Sequence, residues 1–96
     1  MNEWQYEGDV HGLKCKEALE IVRCFIRRQS DLGNRYIEII HGFSHGNALK
    51  IMFSDINNYD LDMVYFIEPS LGNDGRTCVY LKERKDISIK KFSWLE

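Results

Sequence analysis

Apolar and polar residues alternate over residues 4–10. Trp4, Tyr6 and Val10 fall on one side, and Gln5, Glu7, Asp9 and His11 on the other. A period of two is that of a half-buried strand with one polar face, and Gly12 breaks it. The period then changes. Ala18, Ile21, Val22, Phe25, Ile26 and Leu32 recur at three- and four-residue steps, with Lys16, Glu20, Arg23, Arg27 and Arg28 between them. That spacing predicts an amphipathic helix from residue 15 to about residue 32. Lys14 or Cys15 stands at its start, where Ser, Thr or Asp would cap better. Gly33-Asn34 supplies a C-cap, and Arg27 and Arg28 suit the negative end of the helix dipole.

Residues 35–40 predict a second strand, and residues 46–55 a second helix with Ser44 or His45 at its start. Residues 57–60 form a loop. A third strand covers 63–67 and is closed by Pro69. The turn-rich stretch 71–76 leads to a fourth strand over 77–83, with Val79 and Leu81 on one face and Cys78, Tyr80 and Lys82 on the other. The segment 86–96 carries Ile87, Ile89, Phe92 and Trp94. It is too apolar for a free linker and is expected to dock as a short strand or cover.

The order is βαβαββ. A strand–helix–strand unit of this length reads as a right-handed parallel crossover, so the first two strands point the same way. His11-Gly12 and His41-Gly42 then share one edge of the sheet. The short turn before the last strand makes the third and fourth strands antiparallel. The first strand has a polar face and the second carries Glu38, and helices on both faces would bury those groups. The expected fold is therefore a two-layer α/β (α+β) sandwich, a mixed four-stranded sheet with two helices on one face.

Composition narrows the class. Ninety-six residues with 44 % hydrophobic content and one proline suit a single globular domain spanning 1–96. No apolar run approaches a membrane span, and the N-terminus lacks the basic-then-apolar order of a signal peptide. Cys15, Cys24 and Cys78 are odd in number and show no CxxC pairing, which suggests reduced thiols in a cytoplasmic protein. The net charge of −2 does not favour polyanion binding. The charge is uneven, however: Lys82, Arg84, Lys85, Lys90 and Lys91 form a modest basic strip that could touch phosphates.

Two stretches carry candidate chemistry. Asp9 and His11 lie two apart on a strand and project to the same face. A carboxylate beside an imidazole orients it and raises its basicity, as hydrolysis requires. A simple turn hydrogen bond would use the same two residues. In His41-Gly42-Phe43-Ser44-His45-Gly46, a strand feeds a glycine-rich turn that opens a helix. This placement offers backbone N–H groups to an anion at the carboxyl edge of the sheet. Gly42 and Gly46 admit a phosphate close to the backbone, and His41 and His45 could donate to it. It is neither a Walker loop nor a GxGxxG turn.

Taken together, these stretches resemble the Smr (small MutS-related) domain family. The residues that carry the resemblance are Gly8-Asp9-Val10-His11-Gly12-Leu13, Glu17-Ala18-Leu19, Ile39-Ile40-His41-Gly42, Ala48-Leu49-Lys50 and the late segment Asn73 to Leu81. It covers a core of about residues 6–84 and leaves 85–96 as a C-terminal extension. Three positions depart from the family pattern: Gly8 replaces the usual leucine, Lys14 the usual threonine, and Ser44 the second glycine of HGxG.

The resemblance implies a fold similar to the C-terminal domain of translation initiation factor three, with strand order 1-2-4-3 and the fourth strand antiparallel. It also implies nucleic-acid binding and, in several members, endonuclease nicking of DNA or RNA; others have ribosome-associated roles. On this reading Asp9, His11 and His41 are the catalytic candidates. Gly12, Gly42, Ser44, His45, Gly46 and Lys50 are the phosphate-binding ones. His11 would activate water or hold the scissile phosphate, and His41 with the N–H groups near Ser44 would stabilise developing charge. No metal-ligand spacing is present, and a divalent cation would have only Asp9 as a ready ligand. A non-catalytic nucleic-acid- or ribosome-binding module, or a protein-interaction domain, fits the same pattern.

Overall fold

The computed structural model describes residues 6–42 and 47–83. In chain order they form β1 (Glu7–Asp9), α1 (Cys15–Asp31), β2 (Tyr36–Ile40), α2 (Ala48–Phe53), a single 3-10 turn (Ile56–Asn58), β3 (Val64–Pro69) and β4 (Arg76–Leu81). The four strands make one sheet in the order β1-β2-β4-β3, with β1 parallel to β2 and β4 antiparallel to both its neighbours. This is the expected βαβαββ order and strand arrangement.

One face of the sheet carries the helices. Ile37 and Ile39 of β2, Val79 and Leu81 of β4, and Val64 of β3 point into a core shared with Ala18, Val22 and Ile26 of α1 and Phe53 of α2. Each fully buried large side chain contributes about 1.5–3 kcal/mol, so this layer of some ten residues supplies most of the stabilisation. The opposite face carries the alternate residues. In register across β1, β2 and β4 lie Glu7, Glu38 and Cys78, and one row above them Asp9, Ile40 and Arg76. Glu38 thus stays out of the core, which is why two layers form and not three.

The ends of α1 follow from local chemistry. Lys14 is its N-cap residue and its side chain makes no cap hydrogen bond; instead the Lys14 N–H donates to Glu17 Oε1 at 3.4 Å. At the other end Gly33 has φ +87°. The Gly33 N–H donates to the Ser30 carbonyl and the Asn34 N–H to the Gln29 carbonyl, which is the paired closure of a Schellman motif.

Some local expectations change. Ile21 and Leu32 are exposed and Gln29 and Ser30 are buried. Leu32 is the C-cap residue at the end of the helix, and the Gln29 side-chain oxygen accepts from the Asn34 side-chain amide. Tyr6 precedes the ladder that begins at Glu7, so the alternation does not govern it; its ring packs on Tyr36 on the open face. Pro69 is the last residue of β3, tolerable because β3 is an edge strand. The 3-10 turn replaces the expected loop after α2, capped by Asp55 Oδ1 accepting from the Asn57 N–H at 2.9 Å. Described α2 begins at Ala48. The residues expected to open it, Ser44, His45 and Gly46, lie outside the described residues, as does the expected cover formed by 86–96.

Candidate nucleic-acid interface

β1 and β2 are adjacent and parallel, so their carboxyl ends arrive together. The ladder extends past β1 through the Val10 N–H, which donates to the Ile40 carbonyl at 2.8 Å. Beyond it each chain turns at a glycine, Gly12 with φ +81° and Gly42 with φ +70°. A Cβ on Gly42 would stand 3.2 Å from His11 Cβ. The two His-Gly turns therefore touch, and only a residue without a side chain allows that approach at this φ.

His11 is held from its neighbour two residues back. Asp9 Oδ1 accepts from the His11 backbone N–H at 3.1 Å and lies 2.6 Å from His11 Nδ1. The turn hydrogen bond and the imidazole-orienting bond are thus one carboxylate serving both, through the same oxygen. Because that oxygen only accepts, Nδ1 carries the proton and the Nε2 lone pair faces outward. The His11 side chain is 67 % exposed and that of Asp9 51 %. Partial burial pushes the Asp9 carboxyl up, but the hydrogen bonds from His11 and the charges of His11 and Arg76 outweigh it and hold the group below its ordinary value. The Gly12 N–H has no backbone partner among the described residues, and Gly12 itself is exposed.

His41 faces the other way. It is 3 % exposed. Its ring stacks on Phe53 at 6.3 Å, with Nδ1 3.0 Å from the Gly42 carbonyl and Nε2 2.9 Å from Thr77 Oγ1. The carbonyl can only accept, so Nδ1 carries the proton and Nε2 accepts from the Thr77 hydroxyl. Burial lowers the imidazole pKa and nearby Lys50 lowers it further, while the hydrogen bond to Gly42 opposes them; the ring is neutral at pH 7. In this arrangement both ring nitrogens are occupied and neither reaches the surface.

The Gly75 carbonyl accepts from the His41 N–H at 2.8 Å and from the Gly42 N–H at 3.0 Å. Those amides are spent on the turn before β4, so any phosphate grip of this loop rests on residues after Gly42. Ser44, His45 and Gly46, the candidates there, lie outside the described residues. Lys50 follows in the first turn of α2, near enough for its charge to act on His41.

Reading the sequence assigned no role to Gly75, Arg76 or Thr77, yet all three build this edge. Arg76 Nη1 lies 2.6 Å from Glu7 Oε2 and 2.8 Å from Glu38 Oε1. It ties β1, β2 and β4 together beneath Asp9. No local pattern in the sequence marks them; it is the antiparallel register of the folded sheet that sets Thr77 opposite Ile39 and Arg76 opposite Ile40. Among the described residues no group of three His, Cys, Asp or Glu side chains could hold a metal ion. Asp9, already accepting twice through one oxygen, is a poor nucleus for such a site.

The Smr domain family model matches residues 8–82. The chain belongs to the Smr domain family. A search of curated proteins finds no match. Among solved structures, the Smr domain of Thermus thermophilus MutS2 is similar with a TM-score of 0.63 and 25 % identity, covering 79 % of this chain and 96 % of that one. The departure of this Smr domain at Gly8 has a physical counterpart. A Cβ there would lie 2.9 Å from the Phe25 ring, so Phe25 of α1 occupies the space that any side chain at this position would claim. No described helix is long and apolar enough to cross a membrane.

Proposed function

We propose that this Smr domain binds nucleic acid at the edge where the two His-Gly turns meet and hydrolyses a phosphodiester bond there. The observation that carries the reading is the Asp9–His11 pair at 2.6 Å on an exposed edge in contact with Gly42. His11 Nε2 takes a proton from water as the water oxygen bonds to phosphorus, and the P–O bond to the leaving sugar breaks. Asp9 keeps the imidazole in the right tautomer and stabilises the imidazolium. The Gly12 N–H and Lys50, with Ser44, His45 and Gly46 as candidates beyond the described residues, supply positive potential for the phosphate. His41 acts through others: it fixes the Gly42 turn and β4 in register by its two ring hydrogen bonds.

A second reading is binding without cleavage, in a ribosomal or other nucleic-acid context. What favours it is His41, whose occupied ring leaves His11 as the single described imidazole free for proton transfer. Nicking of a supercoiled plasmid and cleavage of a single-stranded RNA by wild type, Asp9→Ala and His11→Ala decide between the two. Hydrolysis at His11 requires the His11→Ala rate to fall about 10²–10⁴-fold. Equal rates in all three proteins would reject it, and retained oligonucleotide binding would then leave the second reading standing.

A further inference from the structure

The open face of the sheet is organised in rows. Its top row, at the His-Gly edge, is Asp9, Ile40 and Arg76, and its middle row is Glu7, Glu38, Cys78 and Glu68. The bottom row is aromatic. Tyr6 packs on Tyr36 at 5.8 Å, Tyr36 on Tyr80 at 5.2 Å, and Tyr80 on Phe66 at 5.6 Å and Tyr65 at 6.4 Å. One continuous band of rings thus runs from the residue before β1 to β3, and its β3 end is open, with Tyr65 59 % and Phe66 48 % exposed. No described helix packs on this face, since α1 and α2 both contribute to the core on the other side. Among the described residues four carboxylates stand in these rows, and Arg76 is paired with two of them, Glu7 and Glu38, so the rows keep a net negative charge that repels phosphate and favours a partner that is apolar and cationic.

We propose that this face is a docking surface for the chain's own residues 84–96, which follow the described part of the structure. Their sequence has the complementary chemistry: Ile87, Ile89, Phe92 and Trp94 are apolar, and Arg84, Lys85, Lys90 and Lys91 outnumber Asp86 and Glu96. Their point of departure fits as well. β4 ends at Leu81, one residue past Tyr80 in the centre of the aromatic band, so the segment starts beside the rings. Thirteen residues reach about 43–47 Å when extended, against about 20 Å for a six-residue strand and about 15 Å across four strands. The segment can turn and cross the whole face. Apolar side chains meet the rings, while lysines and arginines meet Glu68, the middle-row carboxylate that Arg76 does not engage.

Trp94 reports on this directly, because Trp4 is the only other tryptophan. In the 96-residue chain carrying Trp4→Phe, the emission of Trp94 is expected to be blue-shifted relative to free tryptophan and severalfold protected from iodide quenching. Phe66→Ser and Tyr65→Ser replace half-exposed rings and leave the core intact, and each is expected to shift the emission red and restore quenching, with unchanged far-UV circular dichroism. Trp94 that is already solvent-like in the Trp4→Phe protein would overturn the proposal. So would protection that survives both substitutions, or protection that appears only as protein concentration rises, which would make the occupant a second copy. Protection gained only on adding a single-stranded oligonucleotide would make the occupant nucleic acid and overturn it equally.

Discussion

Gly8 and Phe25 are a coupled pair. The Phe25 ring lies where a side chain at position 8 would begin, 2.9 Å from the Cβ that Gly8 lacks. Gly8→Ala is therefore expected to cost about 1–3 kcal/mol by overpacking, and Phe25→Ala to lose stability by leaving a cavity. In the double variant Gly8→Leu with Phe25→Ala, the leucine enters the vacated space. Urea unfolding of the cycle formed with the single variants Gly8→Leu and Phe25→Ala is expected to show that pair to be more stable than the sum of the two single changes predicts. Strict additivity would mean that the two residues do not share the space. His41 makes a second prediction at this scale. The unfolded imidazole titrates near its ordinary value of 6.5 and the folded one lower, so between those values the unfolded chain binds more protons. The stability linked to His41 is complete above about pH 6.5 and declines as acid is added through that window. His41→Gln keeps hydrogen-bonding groups but does not titrate. Its urea midpoint is expected to fall less than that of wild type between pH 7 and pH 5.

At the scale of elements, the hydrophobic periods exposed the architecture, and long-range register was what they left hidden. The three-and-four spacing marked α1 because its buried face must recur once per turn, and the parallel β1–β2 pair followed from a helical crossover of fixed hand. Thr77, which bonds the His41 ring, is 36 residues away and comes from an antiparallel strand whose offset no local pattern states. A histidine after a strand reads equally as a surface ligand or a buried brace, and only Thr77 and Phe53 decide between them. Asp9–His11 was legible because both members lie within three residues and one carboxylate suffices for both bonds. Arg76 was the larger omission, and it carries a prediction about the sheet. Its guanidinium bridges Glu7 and Glu38, whose side chains are only 26 % and 14 % exposed. Arg76→Met would leave both without that partner at a cost of about 1–3 kcal/mol at pH 7. Burial raises the Glu38 pKa, but Tyr36 and Arg76 outweigh it and hold the carboxyl below its ordinary value. Stability from this contact is thus present above the ordinary carboxylate range and is lost as pH falls through the lowered folded value. Thermal melts should show the deficit of Arg76→Met shrinking as the carboxylates protonate. A deficit constant down to pH 3 would assign it to lost packing of the arginine stem.

The whole molecule places opposite potentials on its surfaces. Its net charge is −2, and the open sheet face holds Glu7, Asp9, Glu38 and Glu68 against Arg76. On the proposed reading a polyanion is turned away from that face and approaches along the His-Gly edge and the start of α2, where His11, the Gly12 N–H and Lys50 stand among the described residues. Few phosphates can be contacted there at once. Each phosphate neutralised in a duplex contributes about −0.9 to the slope of log K against log salt. With two or three contacts the slope is about −2 to −3, a loss of roughly 10- to 50-fold in affinity between 50 and 200 mM salt. Fluorescence anisotropy with a labelled duplex measures this directly. Lys50→Gln is expected to flatten the slope by about one contact, whereas Arg76→Met, whose charge is already spent on Glu7 and Glu38, is expected to leave it unchanged. A wild-type slope steeper than about −5 would mean that at least five phosphates are engaged. That is more than the edge can offer, and binding would then have to spread over a broader basic surface, such as the strip that begins at Lys82.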